Sequence, residues 1–281
     1  MLIDNSVWLI TGASKGLGEA LTRMLLAQGF RVAAAVRRPE ELAELFGQHD
    51  NLLPVKIDLN SADEIKNAVS SVIDKFGRID VLANVAGYGL LGYFEEISEQ
   101  QIRAQMETNF FGTVRLTREV LPYMRKERSG YIVSVSSTSG VKAVEGSSVY
   151  AASKFALEGW MEGLGLEVSR FGIKCMIVEP GAFRTNFFKE GSSFAFSELE
   201  LDDYKDVRKT LHGHFVGWDG KQDGNPAKFA ENLLKVMNSD SPPLRLLISK
   251  SAVPAIDDYY KKRYAEFEAW KHVSTDTAFD E

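Results

Sequence analysis

Tyr150 and Lys154 stand four positions apart in Tyr-Ala-Ala-Ser-Lys, a spacing that puts both side chains on one helical face and brings a phenol beside an ammonium. A neighbouring cation lowers a phenol's pKa, which equips this tyrosine to give or take a proton near neutral pH, as carbonyl reduction requires. Of the nine tyrosines, only Tyr150 has a lysine four residues on. Upstream, the run Tyr-Ile-Val-Ser-Val-Ser-Ser ending at Ser137 brings serines to the end of a strand, where a hydroxyl can hold a substrate carbonyl. On spacing alone Ser134, Ser136, Ser137 and Ser139 are equal candidates.

A second group is suited to a phosphate-bearing ligand. Thr11-Gly-Ala-Ser-Lys-Gly-Leu-Gly18 follows one apolar run directly and opens a helical stretch to about Gln28. Glycines there let the backbone turn tightly and approach a pyrophosphate, and the helix N-terminus offers unpaired N–H groups; Gly12, Gly16 and Gly18 fit those roles. The Gly-Lys-Ser/Thr ending of a nucleotide-hydrolysing loop is missing, so a dinucleotide is the better ligand. Where NAD-binding sites place an acid for the adenosine ribose, this chain has Val36-Arg37-Arg38. A guanidinium can grip a 2′-phosphate that an acid would repel, which favours NADP over NAD, with Lys15 as a second cation. The plain alternative is that both arginines are solvated loop residues. Asp58 is placed either to meet the adenine edge or to cap a helix.

These groups need strand ends and helix starts to hold them. Apolar, β-branched runs at 7–11, 31–36, 53–57, 79–84, 131–136, 173–179 and 244–249 alternate with helical stretches. Several are apolar throughout, as in a parallel sheet covered on both faces, so the expected fold is α/β, a doubly wound Rossmann arrangement of seven parallel strands. Ser61-Ala-Asp-Glu64 reads as a capping box opening a helix that ends near Phe76-Gly77, and Asn225-Pro226 opens another to about Asn238, with Pro242-Pro243 beyond it. The chain is expected to form one domain over 1–281, with a substrate-lobe insertion at about 183–224 that lacks sustained periodicity and is rich in aromatics. Ile256, Tyr260, Tyr264 and Phe267 predict a C-terminal helix over about 252–271 that docks on the body.

The composition excludes several function classes. With 281 residues, 44% hydrophobic and 26% charged, the chain is an ordinary globular protein rather than a disordered or fibrous one. A net charge of −6 without a long basic run argues against nucleic acid. The longest uncharged stretch, 81–94, is too short for a membrane span, and Asp4 is out of place in a secretory leader. The single cysteine, Cys175, lies in an apolar run and reads as a small core residue, which fits a reducing, cytoplasmic setting. His212 and His214 have neither cysteines nor paired acids nearby; they read as loop residues, and no metal is expected.

Together these segments resemble the short-chain dehydrogenase/reductase family, in the branch with Thr-Gly-x-x-x-Gly-x-Gly and Tyr-x-x-x-Lys. Five motifs appear in family order: 11–18, Asn84-Val-Ala-Gly87, Asn109 in a helix, Ser137 thirteen residues before Tyr150, and Pro180-Gly181 with Thr185. Val85 departs from the usual Asn-Asn-Ala-Gly. The resemblance covers about 5–185 closely, and among the serines it selects Ser137.

The resemblance implies that Tyr150 is the general acid/base, that Ser137 orients the carbonyl or alcohol, and that Lys154 acidifies Tyr150 and binds the nicotinamide ribose. Asn109 completes a proton relay through water. The implied cofactor-binding set is Gly12, Ser14, Lys15, Gly16, Leu17, Gly18, Arg37, Asp58, Asn84, Ala86, Gly87, Tyr150, Lys154, Pro180, Gly181, Phe183 and Thr185, for NADP. It also implies a homo-oligomer, dimer or tetramer, paired through helices at about 100–126 and 148–171. The aromatics of 183–218, with Tyr88, Tyr93 and Phe94, suggest an apolar ketone or aldehyde as the small-molecule substrate; packing of the lobe's own core is the alternative. A rival class, a redox-sensing dinucleotide-binding regulator, has no need of the four catalytic groups.

Overall fold

The central apolar runs become strands because both of their faces are covered. In β1 (Val7–Thr11), Trp8 and Ile10 point into one core while Val7 and Leu9 point into the other, and the whole strand is buried. The chain continues through α1 (Gly16–Ala27), β2 (Arg31–Val36), α2 (Glu41–Phe46), β3 (Leu52–Lys56), α3 (Ala62–Phe76) and β4 (Val81–Asn84). Next come β5 (Gly89–Leu91), α4 (Glu99–Met106), α5 (Gly112–Glu127), β6 (Gly130–Val135) and α6 (Ser148–Val168). It finishes with β7 (Ile173–Pro180), β8 (Phe194–Phe196), α7 (Lys205–Val216), α8 (Pro226–Met237), β9 (Arg245–Ile248) and α9 (Val253–Thr275). This computed structural model describes residues 5–189 and 193–279, so Asp4 and positions 190–192 of the aromatic interval lie outside the described residues.

The main sheet has the order β3-β2-β1-β4-β6-β7-β9, with all neighbours parallel. The fold is the expected doubly wound α/β arrangement of seven parallel strands. Winding reverses between β1 and β4, and ligands of such sheets bind at the carboxyl ends beside that switch point. One core lies under α1 and α8, with Leu21, Leu25, Phe229 and Leu233. The other lies under α3, α5 and α6, with Val69, Val120, Leu157 and Met161.

Local signals set the helix ends. Ser61 Oγ accepts from the Glu64 N–H, and Gly77 closes α3 in the left-handed region at φ 77°. The second half of the expected capping box is redirected: the Glu64 carboxylate accepts from the Asp58 N–H at 2.7 Å, fastening the end of β3 to α3. Asn225 Oδ1 caps α8 through the Ala227 N–H at 2.9 Å. Cys175 lies half-buried in β7, and burial pushes its thiol up to about 12.

Three expectations require correction. The interval 183–224 is not irregular, because it contains β8, which pairs with β5 in a small parallel sheet, and the twelve-residue helix α7. Val207, Leu211, Phe215 and Trp218 do recur at helical spacing, and they face a cavity instead of the main core, with Phe215 and Trp218 also packing on Phe188. His212 and His214 therefore sit on a helix; the His212 ring lies 4.2 Å from that of Phe196. The C-terminal helix forms, but it docks only through its start, where Ile256 is buried and Tyr259 half-buried, and Tyr260, Tyr264, Phe267 and Trp270 are exposed.

Candidate active site

A cavity of about 1340 Å³ opens along the carboxyl ends of β1, β2, β4, β6 and β7. It exceeds the roughly 300–1,000 Å³ of an ordinary small-ligand pocket, leaving room for a dinucleotide and a second molecule. Its floor is the loop from Gly12 to Leu17, and its far wall is the aromatic lobe.

Backbone geometry accounts for the glycines in that loop. Gly12 and Gly16 have φ of +69° and +54°, the left-handed region that side chains strain to adopt. Gly18 serves packing instead, since a Cβ there would lie 2.3 Å from the Gly12 carbonyl oxygen, and its absence lets α1 start against the loop. Thr11 Oγ1 accepts from the N–H groups of Val85 and Ala86 at 3.0 and 3.1 Å, which locks the loop to the segment after β4. Thr11 was legible as part of the motif, but its tying role depends on the β1–β4 neighbourhood.

The cations separate into paired and unpaired. Arg38 is bound to Glu41 at 2.6 Å. Arg37 and Lys15 line the cavity, and among the described residues neither has an ion-pair partner. Asp58 also lines the cavity; its Oδ1 accepts from the Asn60 N–H at 2.9 Å in a local turn. Ser14, Leu17, Ala86, Gly87, Pro180, Gly181, Phe183 and Thr185 all line the same space.

Tyr150, Ser137 and Lys154 line the same cavity. Lys154, buried, donates to the Val135 carbonyl at 2.9 Å and holds its ammonium 5.9 Å from the centre of the Tyr150 ring. Burial pulls the ammonium down to about 8, against the opposing pull of Glu158. The expected acidification of the phenol does not prevail: burial pushes Tyr150 up, and a hydrogen bond with Ser137 only partly offsets this. Ser137 Oγ also accepts from the Ser139 N–H at 3.0 Å.

Two expected residues stand behind the cavity wall. Asn109 is buried in a π-helical turn, Glu107–Phe111, between α4 and α5; such turns often mark functional sites. Its Oδ1 accepts from the Tyr88 N–H at 3.1 Å, and its Nδ2 donates to the Tyr88 carbonyl and to Ser153 Oγ, at 2.9 and 3.1 Å. Ser153 in turn donates to the Tyr150 carbonyl at 2.7 Å. A Cβ on Gly87 would sit 3.2 Å from Asn109 Oδ1 and 3.6 Å from Lys154 Nζ, so the glycine keeps space free between them. Asn84 is buried away from the cavity lining and donates to Thr117 and Ser134, clamping β4 to β6 and α5 instead of facing a nucleotide. Gly18 likewise acts through packing and not by facing the ligand space.

The far wall is mainly apolar, with Asn186, Ser193, Thr210 and His214 as its polar members. Phe187, Phe188, Phe194, Phe215 and Trp218 line it with Leu91, Val207 and Leu211. Phe188 makes ring contacts with Phe187, Phe194, Phe215 and Trp218, so the same aromatics serve both as a small core and as cavity lining. Phe183 belongs to the main core, edge-on to Phe229 at 5.5 Å. Phe94 stands exposed away from this wall, a departure from the expected grouping.

Known proteins are similar to this chain in sequence and fold. The family model for short chain dehydrogenases matches residues 6–194. The oxidoreductase BOA17 of Botryotinia fuckeliana is 36% identical over 279 residues, covering 97% of this chain and 99% of that protein. A 3-ketodihydrosphingosine reductase of Bacteroides thetaiotaomicron is 38% identical over 240 residues, covering 84% and 85%. The crystal structure of a short-chain dehydrogenase from Streptomyces avermitilis superposes with a TM-score of 0.87 at 38% identity, covering 97% of this chain and all of that one. Solved structures with the same fold hold NADP or NAD. The glycine cradle, which any side chain at Gly12 or Gly16 would strain, fits such a ligand. The chain therefore belongs to the short-chain dehydrogenase/reductase family and is an oxidoreductase that works with a nicotinamide dinucleotide.

Proposed function

We propose that the protein is an NADP-preferring carbonyl reductase whose substrates are apolar ketones or aldehydes. The observation that carries this reading is the cavity's lining, which joins Lys15 and Arg37, without an ion-pair partner among the described residues, to the aromatics of the lobe and to Tyr150 with Ser137.

When bound, the dinucleotide supplies the hydride. Arg37 and Lys15 receive the 2′-phosphate of the adenosine half, and Arg38 contributes less because Glu41 already holds it. Pro180, Gly181, Phe183 and Thr185 receive the nicotinamide half. Ser137 donates to the substrate carbonyl oxygen and fixes its distance from the Tyr150 phenol. Tyr150, kept protonated by burial, gives its proton to the developing alkoxide. Lys154 adds a positive charge that favours the resulting phenolate, and Asn109 holds the turn behind it through Tyr88 and Ser153.

The aromatic wall accepts alkyl or ring surface, its apolar rings outnumbering the polar groups Asn186, Ser193, Thr210 and His214 that line it. The likeness to a 3-ketodihydrosphingosine reductase supports a ketone as the substrate. Among the described residues no helix is long and apolar enough to cross a membrane, and a cytoplasmic setting is part of the proposal. So is a homo-oligomer: Phe111, Phe155 and Leu166 stand exposed on or beside α5 and α6.

The test follows NADPH consumption with cyclic, aryl and long-chain ketones against small polar and carboxylate-bearing ketones of similar reactivity. A higher kcat/KM for the apolar set is expected, with Tyr150→Phe lowering kcat by about 10²–10⁴ while NADPH binding is retained. Preference for the polar set overturns the substrate class, and substantial turnover by Tyr150→Phe overturns the acid/base assignment.

A further inference from the structure

Helix α9 leaves the body of the protein with an apolar stripe that nothing covers among the described residues. Its first turn is anchored by Ile256, whereas Tyr260, Tyr264, Phe267, Trp270 and Val273 are each at least half exposed. At about 100° per residue, Ile256, Tyr260, Phe267 and Trp270 fall within an arc of roughly 80°, so the stripe that begins as core runs on into solvent. A helix that packs on nothing has little to stabilise it in water, and contiguous exposed aromatics mark an interaction site.

The charges on α9 indicate what covers the stripe. Asp257 and Asp258 come first, then the block Lys261-Lys262-Arg263, then Glu266 and Glu268, then Lys271 and His272. A second α9 laid antiparallel, with the two-fold axis between positions 264 and 265, sets Lys261 opposite Glu268 and Arg263 opposite Glu266. It also brings Tyr259 against Trp270. Lys261 and Glu268 share one flank of the stripe, so their pairs form on one side of the contact and recur by symmetry. A parallel pair would instead bring the basic blocks together. The present partners of these charges, Asp257 for Lys261 and Glu268 for Lys271, are exposed contacts within the helix and do not prevent such pairing.

We propose that α9 is a self-association surface on which a second copy of this chain docks its own α9 antiparallel. A membrane is the less suited occupant, because four basic residues are matched by four acidic ones along α9 and the whole chain carries −6. The surface is separate from α5 and α6 and would join copies independently of them.

The full-length protein tests this by sedimentation equilibrium at low salt. Lys261→Glu places like charges in two symmetric pairs and should weaken association on the order of tenfold, while Lys261→Glu with Glu268→Lys restores it; reductase turnover stays at the wild-type level in both. Phe267→Asp should also lower the mass by one association step. An unchanged mass in Lys261→Glu, or failure of the double variant to recover, overturns the antiparallel pairing. Flotation of the wild-type protein with phosphatidylcholine vesicles, lost in Phe267→Asp while the mass in solution is unchanged, would assign the stripe to a lipid surface and overturn the proposal.

Discussion

The Lys154 ammonium donates to the Val135 carbonyl oxygen at 2.9 Å, so the last residue of β6 fixes a side chain from the second turn of α6. The contact sets the height of the helix over the sheet, and with it the position of Tyr150 one turn earlier. Burial of that ammonium, only partly opposed by Glu158, pulls its pKa down to about 8.

A pH profile for carbonyl reduction follows. The ammonium is present below about 8 and is lost above it, while burial keeps the Tyr150 phenol protonated through neutral pH. We expect kcat/KM to be flat between about pH 6 and 7.5 and to fall above pH 8. In Lys154→Arg, which stays charged, the alkaline fall should move to higher pH even where overall turnover drops. An alkaline limb at the same pH in that variant would assign it to another group.

Cofactor choice should divide unequally between adjacent arginines. Arg37→Asp removes an unpaired guanidinium and supplies a ribose acceptor, so the preference for NADPH over NADH should drop on the order of 100-fold. Arg38→Ala, which breaks only the contact with Glu41, should change the ratio severalfold at most. Steady-state kinetics with both cofactors compares the two variants directly.

The aromatic lobe is latched by charge. Glu96, fully buried after β5, accepts from the Leu201 N–H at 2.9 Å and is bound to Arg208 of α7. Glu96→Gln weakens the latch and should raise KM for bulky ketones roughly fivefold, equivalent to about 1 kcal/mol, with a smaller effect on kcat. Hydrogen exchange over residues 198–216 should quicken in the variant; unchanged exchange would show that the rings alone hold the lobe.

Stability should depend on pH through a buried carboxyl behind the site. Burial, reinforced by Glu158, pushes Glu179 up to about 7 despite Arg245. The folded state therefore binds an extra proton between the ordinary carboxylate range and pH 7. This stabilising contribution is complete below that range and is lost as pH rises through 7. Glu179→Gln should raise stability at pH 8 by about 1–3 kcal/mol and change it little at pH 5. Denaturant unfolding at the two pH values reads the difference.

Much of this was legible because it depends on neighbours along the chain. Apolar runs, a serine cap before α3, an Asn-Pro start for α8 and a tyrosine four residues before a lysine all act over one or two helical turns, and the spacing of the motifs carried the family. What the sequence could not decide depended on what lies opposite. The fall in the Lys154 pKa and the rise in that of Tyr150 come from burial, which only the assembled sheet and helices impose. Asn84 and Gly18 belong to recognisable motifs, yet their surroundings make one a clamp between strands and the other a packing space. The apolar period of α9 identified that helix without saying what it covers, whereas the period of α7, which points at a cavity, was not read as a helix at all from the sequence. Hydrophobic spacing determines which face of a helix seeks cover, and only the tertiary arrangement determines whether a core, a ligand or another molecule provides it.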